Sequence, residues 1–381
     1  MFARLILAGN VTGGNGHSYV LDQTAPTPYR ETIYSDDSNG FVIRSAWLLK
    51  NDDPSSYISS VSGGGSGLSF DKLSFNFTGT SNNSSFTYQI TDSAGNSSNV
   101  TSSVTDTVTN LGAQSVTTNV NGGIYIIQQG GTSVLSSAGY DIISFKSAGT
   151  VSALGNGGDA LDVETNVAVT ATVSSSGFTA DSYTNHTGTG KVTLNTAGYN
   201  VDLSLASGSN GYTINNTAST AATLKASSFG DVLSGKAGND SFYGGAGADT
   251  FVLNNTQLSN GTDSIYQFNT GSNIDTLKIS AFLASATDAN LVSATSGTSA
   301  LNIYGKVALI NQSTIGIVDF GSGHDFADLT GSNKAVVVAY GSGTQDASVY
   351  YAYHDANGTH VDKVATLVGV GPLDTSHTHI A

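Results

Sequence analysis

Large apolar residues recur through the second half of the chain at intervals of nine or ten positions. Leu233, Phe242 and Phe251 are nine residues apart, and Gly-, Asn- and Ser-rich segments separate them. The earlier members of the series are Leu194, Leu203, Ile214 and Leu224. Each apolar residue predicts a short strand with one inward-facing side chain, followed by a turn. The series favours a β-solenoid from about residue 190 onward. For the whole of 109–225, a degenerate solenoid and a second irregular sandwich both stay open.

Residues 27–108 carry a different pattern, in which apolar and polar residues alternate over short stretches. Leu73–Phe77 and Phe86–Ile90 are examples, and turns rich in Gly, Asn and Ser separate such stretches. A period of two predicts half-buried antiparallel strands, and several of them predict a β-sandwich. Residues 1–26 lack this pattern and are interpreted as an irregular leader.

Within the apolar series, residues 226–252 repeat a nine-residue unit three times. The third copy, Gly244–Val252, fits the pattern G-G-x-G-x-D-x-U-x at every position, where U is a large apolar residue. The second copy, Gly235–Tyr243, has Lys236 at the second glycine, and the first copy, Ala226–Ser234, keeps the aspartate and the apolar residue. Each unit predicts a turn followed by a three-residue strand.

Aspartates close the three turns at Asp231, Asp240 and Asp249. Two units make one coil, so Asp231 and Asp249 are predicted to lie on the same edge, about 4.8 Å apart. Two carboxylates at that distance repel by roughly 0.9 kcal/mol even at the dielectric constant of water. Glycines at positions one, two and four are expected to allow positive φ and to let carbonyl oxygens point into the gap. Because calcium takes six to eight oxygen ligands, these turns predict a calcium site.

The candidate ligands come from the second and third turns and from the end of the first. They are Asp231, Gly238, Asn239, Asp240, Gly244, Gly245, Gly247, Ala248 and Asp249. Asp240 is predicted to face the opposite edge, where the matching positions, Ala222 and Leu258, carry no carboxylate. The sequence therefore predicts one well-formed calcium site between the turns of Asp231 and Asp249, and a weaker second one.

These residues resemble the calcium-binding repeats of the RTX (repeats-in-toxin) family of bacterial proteins, which are exported by type I secretion. The following segments, Asp263–Phe268 and Asn273–Ile279, are similar to a stretch that many family members carry after their repeats. The resemblance implies a parallel β-roll that folds on calcium outside the cell, with the type I secretion machinery as a partner. Departures from the pattern at Phe229, Lys236 and Gln267 imply weak or absent outer sites.

Two segments of the N-terminal region resemble bacterial cadherin-like modules. Leu48–Asp53 is similar to their L-L-x-N-D signature, and Phe86–Asn96 is similar to their closing strand and turn. Such modules are usually strung in tandem on surface adhesins. The resemblance implies an Ig-like or cadherin-like sandwich with an adhesive role, for which cell-surface glycans or self-association are the candidate interactions.

Residues 256–381 are predicted to continue as strands and to cap the solenoid, because its open edge needs covering. Val349–Gly358 predicts a strand that enters an Asn-Gly hairpin. A calcium loop formed by Asp355, Asn357 and Asp362 is the less favoured alternative. The hairpin resembles that of type I substrates, whose export information lies near the C-terminus, so this region is also predicted to carry the secretion signal.

The composition narrows the classes of function. The chain has 381 residues, 46 glycines, no cysteine and a formal net charge of −15. Only Glu31 and Glu164 among its 28 acidic residues are glutamates, a bias that fits turns and calcium loops. The negative charge argues against a nucleic-acid partner. No apolar segment is long enough for a transmembrane segment, and the run Leu5–Ala8 is too brief for a secretory signal.

No catalytic constellation stands out in the sequence. It contains neither G-x-S-x-G nor H-E-x-x-H, which disfavours lipase and metalloprotease activity. Many aspartates could pair for glycoside hydrolysis, but nothing selects one pair. We therefore expect no enzymatic activity. A polysaccharide-active extracellular enzyme with an RTX auxiliary module is one alternative, and a surface-layer subunit is another.

Together these patterns predict an all-β chain with an N-terminal sandwich, a parallel β-roll and a β-rich C-terminal cap. The predicted segments are an irregular leader (1–26), an Ig-like or cadherin-like sandwich (27–108), a degenerate solenoid or β-rich region (109–225), an RTX β-roll (226–255) and a cap with the secretion region (256–381). The expected function is that of a secreted calcium-binding cell-surface protein with a structural or adhesive role.

Overall fold

The computed structural model is almost entirely β, and the predicted fold class is confirmed. The described residues are 10–12, 18–20, 31–35, 40–50, 52, 54–63, 67–78, 85–106, 115–254, 260–269, 273–279, 291–294, 307–311, 329–340, 345–370 and 379–380. The helix with defined bounds within them is α1 (Ser45–Leu48).

The N-terminal part supplies two packed sheets and a separate two-stranded sheet formed by its first two strands. Its strands are β1 (Asn10–Thr12), β2 (Ser18–Val20), β3 (Thr32–Ser35), β4 (Phe41–Arg44), β5 (Tyr57–Gly63), β6 (Leu68–Phe70), β7 (Ser74–Phe77), β8 (Ser85–Thr91) and β9 (Ser97–Asp106). Strands β4, β7 and β6 form a three-stranded antiparallel sheet, whereas β3, β9, β8 and β5 lie side by side in a larger sheet.

The middle of the chain is a parallel β-solenoid of about seven turns. Its strands are β10 (Ser115–Thr117), β11 (Gly123–Ile127), β12 (Thr132–Leu135), β13 (Asp141–Phe145), β14 (Gly149–Leu154), β15 (Ala160–Val163), β16 (Val169–Val173), β17 (Phe178–Thr179), β18 (Asn185–His186), β19 (Val192–Asn195), β20 (Val201–Asp202), β21 (Ser207–Gly208), β22 (Thr213–Asn215), β23 (Thr223–Lys225), β24 (Val232–Ser234), β25 (Ser241–Tyr243), β26 (Thr250–Val252), β27 (Asp263–Tyr266) and β28 (Thr276–Lys278). The solenoid therefore begins well upstream of residue 190.

The coils of the solenoid differ in length. Ile142 pairs with Ala160 in the early coils and Val232 pairs with Thr250 in the late ones, so one such coil spans two nonapeptide units. In between, Val169 pairs with Val192, and these coils carry a third strand. The local sequence explains the strands, because each late strand has one buried residue between two half-buried ones.

Stacked apolar residues fill the interior of the solenoid. Leu233, Phe242 and Phe251 are all fully buried and belong to one continuous core cluster. The Phe242 and Phe251 rings are 6.4 Å apart between centroids. Leu194 and Leu224, from the upstream part of the series, lie in the same cluster. The predicted stacking of the apolar series is therefore confirmed.

The N-terminal part shares a sheet with the solenoid. Strand β3 pairs in parallel with β11, and Ile33 lies opposite Ile124. The outward side chains of this sheet pack with Trp47 and Phe75 in a second hydrophobic cluster, which also holds Ile142. The boundary between residues 108 and 109 stays a prediction, as does the Ig-like or cadherin-like identity of the N-terminal part, because the sheet continues across that point.

Strands at the C-terminal end extend the solenoid sheets. They are β29 (Leu291–Ala294), β30 (Val307–Asn311), β31 (Lys334–Tyr340), β32 (Ala347–Asp355), β33 (Gly358–Val368) and β34 (His379–Ile380). Strand β33 adds in parallel to β27, and β34 adds to β28. Strands β32 and β33 form the predicted hairpin, whose turn is closed by the Asn357 N–H donating to Asp355 Oδ1 at 2.7 Å.

Candidate metal centre

The turns of the late coils stack along two edges of the roll. Asp231 and Asp249 precede β24 and β26, which are neighbours in one sheet, so their turns lie on the same edge. Asp275 precedes β28, the next strand of that sheet, and extends the row. Asp240 precedes β25, in the opposite sheet, and its turn lies on the other edge. The predicted placement of Asp231, Asp249 and Asp240 is confirmed.

The prediction that Asp240 lacks a partner carboxylate is wrong. Asp263 is the first residue of β27, the strand that neighbours β25, and its Oδ1 accepts the N–H of Asp240 at 2.9 Å. The turn between β26 and β27 is longer than a nonapeptide turn, so a count of nine residues lands on Leu258, short of Asp263. On the upstream side Ala222 does occupy the matching position.

A ladder of hydrogen bonds joins the aspartates on the first edge. The Tyr212 N–H donates to Asp231 Oδ1 at 2.6 Å, and the Asp231 N–H donates to Asp249 Oδ1 at 2.8 Å. The Asp249 N–H in turn donates to Asp275 Oδ1 at 2.8 Å. Each carboxylate therefore uses one oxygen to hold the backbone of the preceding coil. The other oxygen is available for a second role.

The second oxygens differ from turn to turn. Asp231 Oδ2 accepts the N–H and the hydroxyl of Ser227, at 3.0 and 2.7 Å. By contrast, Asp240 Oδ2 and Asp249 Oδ2 are buried and have no hydrogen-bond partner. A buried carboxylate oxygen without a partner is costly, and native proteins normally satisfy such atoms. These two oxygens are thus the donors that a hard cation would use, and the residues fit a calcium ion.

The second edge ends in amides on both sides. Asp240 Oδ1 accepts the Asn216 amide at 2.8 Å, and Asp263 Oδ2 accepts the Asn260 amide at 3.0 Å. An amide donor stabilises a carboxylate without adding net positive charge. A metal ion on this edge would therefore lie between the turn that ends at Asp240 and the turn that ends at Asp263.

Burial makes ionisation of these carboxyls unfavourable. Removal from water raises the pKa of Asp249 to about 8, and the negative charges of Asp231 and Asp275 raise it further. The hydrogen bond from the Asp231 N–H acts in the opposite direction and lowers this pKa. Burial likewise raises the pKa of Asp263 to about 8 and that of Asp231 to about 6. The pKa of Asp240 is also raised, chiefly by burial. A divalent cation would favour the charged forms of all four.

The glycines of the third turn serve different purposes. Gly245 adopts φ +89°, the left-handed region that glycine tolerates. A Cβ on Gly244 would lie 2.8 Å from Asp249 Oδ2, and a Cβ on Gly247 would collide with the backbone carbonyl of Phe229. The expectation of positive φ is therefore confirmed at the second position, whereas the first and fourth positions require space. Lys236 stands at the second position of the preceding turn and does not adopt positive φ.

The remaining predicted ligands stay predictions. Asn239 is exposed, and its Oδ1 accepts the Thr262 N–H at 2.9 Å, so it links its turn to the next one on that edge. Gly238 is buried, and a Cβ added there would lie 2.8 Å from the backbone of Thr220, whereas Ala248 is exposed at a turn corner. Only backbone carbonyl oxygens of Gly238 and Ala248 could reach a metal ion.

Two aspartates of the ladders, Asp263 and Asp275, were missed as ligands by the nine-residue count. Each precedes a buried apolar residue by two positions, at Ile265 and Leu277, as Asp249 precedes Phe251. Within the described residues no group of three or more His, Cys, Asp or Glu side chains converges on one point. Each site would therefore combine paired carboxylates with backbone carbonyl oxygens.

The fold and these turns define a parallel β-roll with acidic, glycine-rich corners. Residues 226–255 match the family model described as RTX calcium-binding nonapeptide repeat (4 copies). These repeats are calcium-binding, so the protein contains an RTX β-roll with calcium as its cofactor. Neither the curated proteins nor the solved structures include a match to this chain. No described helix has the length and apolar character that a membrane crossing requires.

Proposed function

We propose that the protein is a secreted RTX-type cell-surface protein whose roll folds on extracellular calcium and whose role is structural or adhesive. The observation that carries the proposal is the pair of buried, unpartnered oxygens, Asp240 Oδ2 and Asp249 Oδ2, in stacked acidic turns. They lie on opposite edges of the roll. Both edges are therefore incomplete without a positive charge.

The proposed mechanism is a change of ion occupancy between compartments. Without calcium, closing the late coils buries several carboxyls together, which opposes folding. A bound calcium ion would neutralise these carboxylates and coordinate oxygen atoms of neighbouring turns. Extracellular modules bind calcium with Kd on the order of 10⁻⁴–10⁻³ M, so cytosolic calcium is too scarce to load them. Outside the cell, binding stabilises the folded roll by mass action.

This mechanism suits export of the chain by a type I secretion machinery. A roll that stays open in the cytosol can be threaded, and a roll that closes outside resists return. The absence of cysteine and the net charge of −15 support a chain that crosses the envelope unfolded and stays soluble outside. The resemblance of residues 226–252 to RTX repeats supports the same route.

The adhesive or structural role draws support from the junction of the two halves. The sheet formed by β3, β9, β8 and β5 continues through β11 into the solenoid, so a folded solenoid would brace the N-terminal strands. We further propose that the protein is not an enzyme. Incubation of the calcium-loaded chain with uronans and neutral glycans tests both points, because retention without turnover supports adhesion and turnover contradicts the non-enzymatic role.

Circular dichroism of the full-length chain tests calcium-dependent folding. We expect a gain of β signal when 10 mM calcium replaces EGTA at pH 7, and no comparable gain with magnesium at equal ionic strength. An unchanged spectrum, with full β signal in EGTA, would contradict the proposal. The double variant Asp240→Asn/Asp249→Asn is expected to lose most of the calcium response.

A further inference from the structure

A second pair of stacked acidic turns lies upstream, outside residues 226–255. The turn between β12 and β13 leads into Asp141, and the turn between β14 and β15 ends at Asp159. Ile142 and Ala160, which follow these aspartates, are direct partners in parallel strands of successive coils. The coil length and edge-to-edge stacking are those of Asp231 and Asp249.

The upstream sequence also follows much of the nonapeptide pattern. Leu154–Asp162 reads L-G-N-G-G-D-A-L-D, which keeps the second and fourth glycines, the aspartate and the apolar eighth residue. The preceding copy, Ser136–Ser144, keeps Gly139 at the fourth position, with Asp141 and an apolar residue in register. Both apolar residues of the eighth position are fully buried in the solenoid core.

The hydrogen bonds repeat those of the late coils. The Asp141 N–H donates to Asp159 Oδ1 at 3.2 Å, as the Asp231 N–H donates to Asp249 Oδ1. The Gly155 N–H donates to Asp159 Oδ2 at 2.7 Å, and the Ser136 hydroxyl donates to the same oxygen at 2.6 Å. Both oxygens of Asp159 therefore accept hydrogen bonds, as both oxygens of Asp231 do, whereas Oδ2 of Asp249 has no partner.

Asp141 is the unsatisfied member of this pair. Its side chain is 0% exposed. The Thr118 hydroxyl and the Gly123 N–H approach the carboxylate, but neither contact has the geometry of a hydrogen bond. A buried carboxylate with two orphaned oxygens points to an absent positively charged partner. The carbonyl oxygens of Ala138 and Gly139 pack against Gly157, so backbone oxygens line the same stack of turns.

Lys50 lies close to this pair but does not neutralise it. Its Nζ lies 3.4 Å from Glu31 Oε2 and donates to the carbonyl oxygen of Tyr140 at 3.4 Å. With Glu31, Asp141 and Asp159 ionised, the lysine leaves two negative charges. That remaining charge is matched by one divalent cation.

We propose that the turns closed by Asp141 and Asp159 form a further calcium site, held by these two carboxylates and by backbone carbonyl oxygens. The donors are all hard oxygens in an irregular turn, which favours calcium over magnesium, because magnesium demands near-ideal octahedral geometry. The site also joins the two halves of the molecule. Lys50 contacts the turn directly, and Ile142 and Ala160 pack in the same cluster as Trp47.

Calcium counting on the full-length chain tests the proposal. Isothermal titration of the unmodified protein and of Asp141→Asn is expected to show one ion fewer for the variant. Asp202→Asn, which alters an aspartate paired with Lys225 on a solenoid strand, serves as the control and is expected to keep the full count. An equal count for Asp141→Asn and the unmodified chain would overturn the proposal.

The single tryptophan gives a second readout that is specific to this site. Calcium is expected to shift the emission of Trp47 in the unmodified chain and in Asp240→Asn/Asp249→Asn, but not in Asp141→Asn. The double variant thus separates this site from the late coils. If Asp141→Asn fails to fold, the test is anomalous diffraction from crystals of the unmodified protein grown with calcium. A peak beside Asp141 would support the site, and the absence of a peak would overturn it.

Discussion

Replacement of Asp249 by asparagine separates the electrostatic cost of this carboxyl from its use in metal binding. Asparagine keeps an oxygen that can accept the N–H of Asp231 but removes the charge. The folded-state pKa of Asp249 is raised to about 8, so its contribution to stability is full below the unfolded pKa, about 4, and is lost progressively as pH rises from there to 8. At pH 7 this costs the calcium-free fold about 4 kcal/mol relative to an unfolded pKa near 3.9.

Calcium offsets this cost in the unmodified chain only. At a free concentration of 100 times Kd, one ion stabilises the folded state by about 2.7 kcal/mol. Asp249→Asn is therefore expected to be more stable than the unmodified chain in EGTA, by up to about 4 kcal/mol. Its gain on addition of calcium should be smaller by about 2.7 kcal/mol for each ion it no longer holds.

Urea unfolding at pH 7, followed by circular dichroism in 10 mM calcium and in EGTA, measures both quantities. Asp202→Asn is the control, because its surface ion pair with Lys225 is worth about 0–1 kcal/mol with or without calcium. A variant that is less stable than the unmodified chain by the same amount in both conditions would refute the reasoning. That result would make Asp249 a hydrogen-bond acceptor and nothing more.

Further predictions concern protons, packing and the core. Because burial raises the pKa of Asp249 and Asp263 to about 8, calcium binding at pH 7 should release protons, and calcium affinity should fall as pH drops from 8 to 6. Calorimetry in two buffers of different ionisation enthalpy detects the proton release. Equal apparent binding enthalpies in the two buffers would count against it. Gly247→Ala should weaken calcium binding at least ~10-fold, or about 1.4 kcal/mol, because the added Cβ collides with the backbone of the stacked turn. Gly130→Ala is the control: an added Cβ there meets nothing within 4 Å, so the calcium titration should be unchanged. Phe242→Ala should destabilise the calcium-loaded protein by about 3–5 kcal/mol, measured by urea unfolding, since this ring is fully buried in the core, and a loss below about 1 kcal/mol would contradict its stacking role.

The regular part of the roll could be predicted from the sequence because its spacing is local. Aspartates separated by two nonapeptide units return to the same edge when one coil consists of two units, which is why Asp231 and Asp249 stack as expected. The same count failed for Asp240, since the longer turn before β27 moves its partner to Asp263. The signal that survives the insertion is an aspartate two positions before a buried apolar residue.

The junction of the two halves could not be predicted in the same way. Strand β3 pairs with β11, which lies far along the chain, and no periodicity within either segment specifies that register. Of the two glutamates, Glu164 forms an ion pair with Arg44 across this junction, whereas Glu31 pairs with Lys50 within the N-terminal part. Their scarcity was visible in the sequence, but the partners depend on the folded sheet.

Anomalous diffraction from crystals of the full-length protein grown with calcium tests the central claim most directly. The account predicts calcium peaks beside Asp249 Oδ2 and Asp240 Oδ2, one on each edge of the roll, with backbone carbonyl oxygens completing the coordination. A map without a peak at either oxygen, in crystals where the late coils are fully ordered, would contradict it.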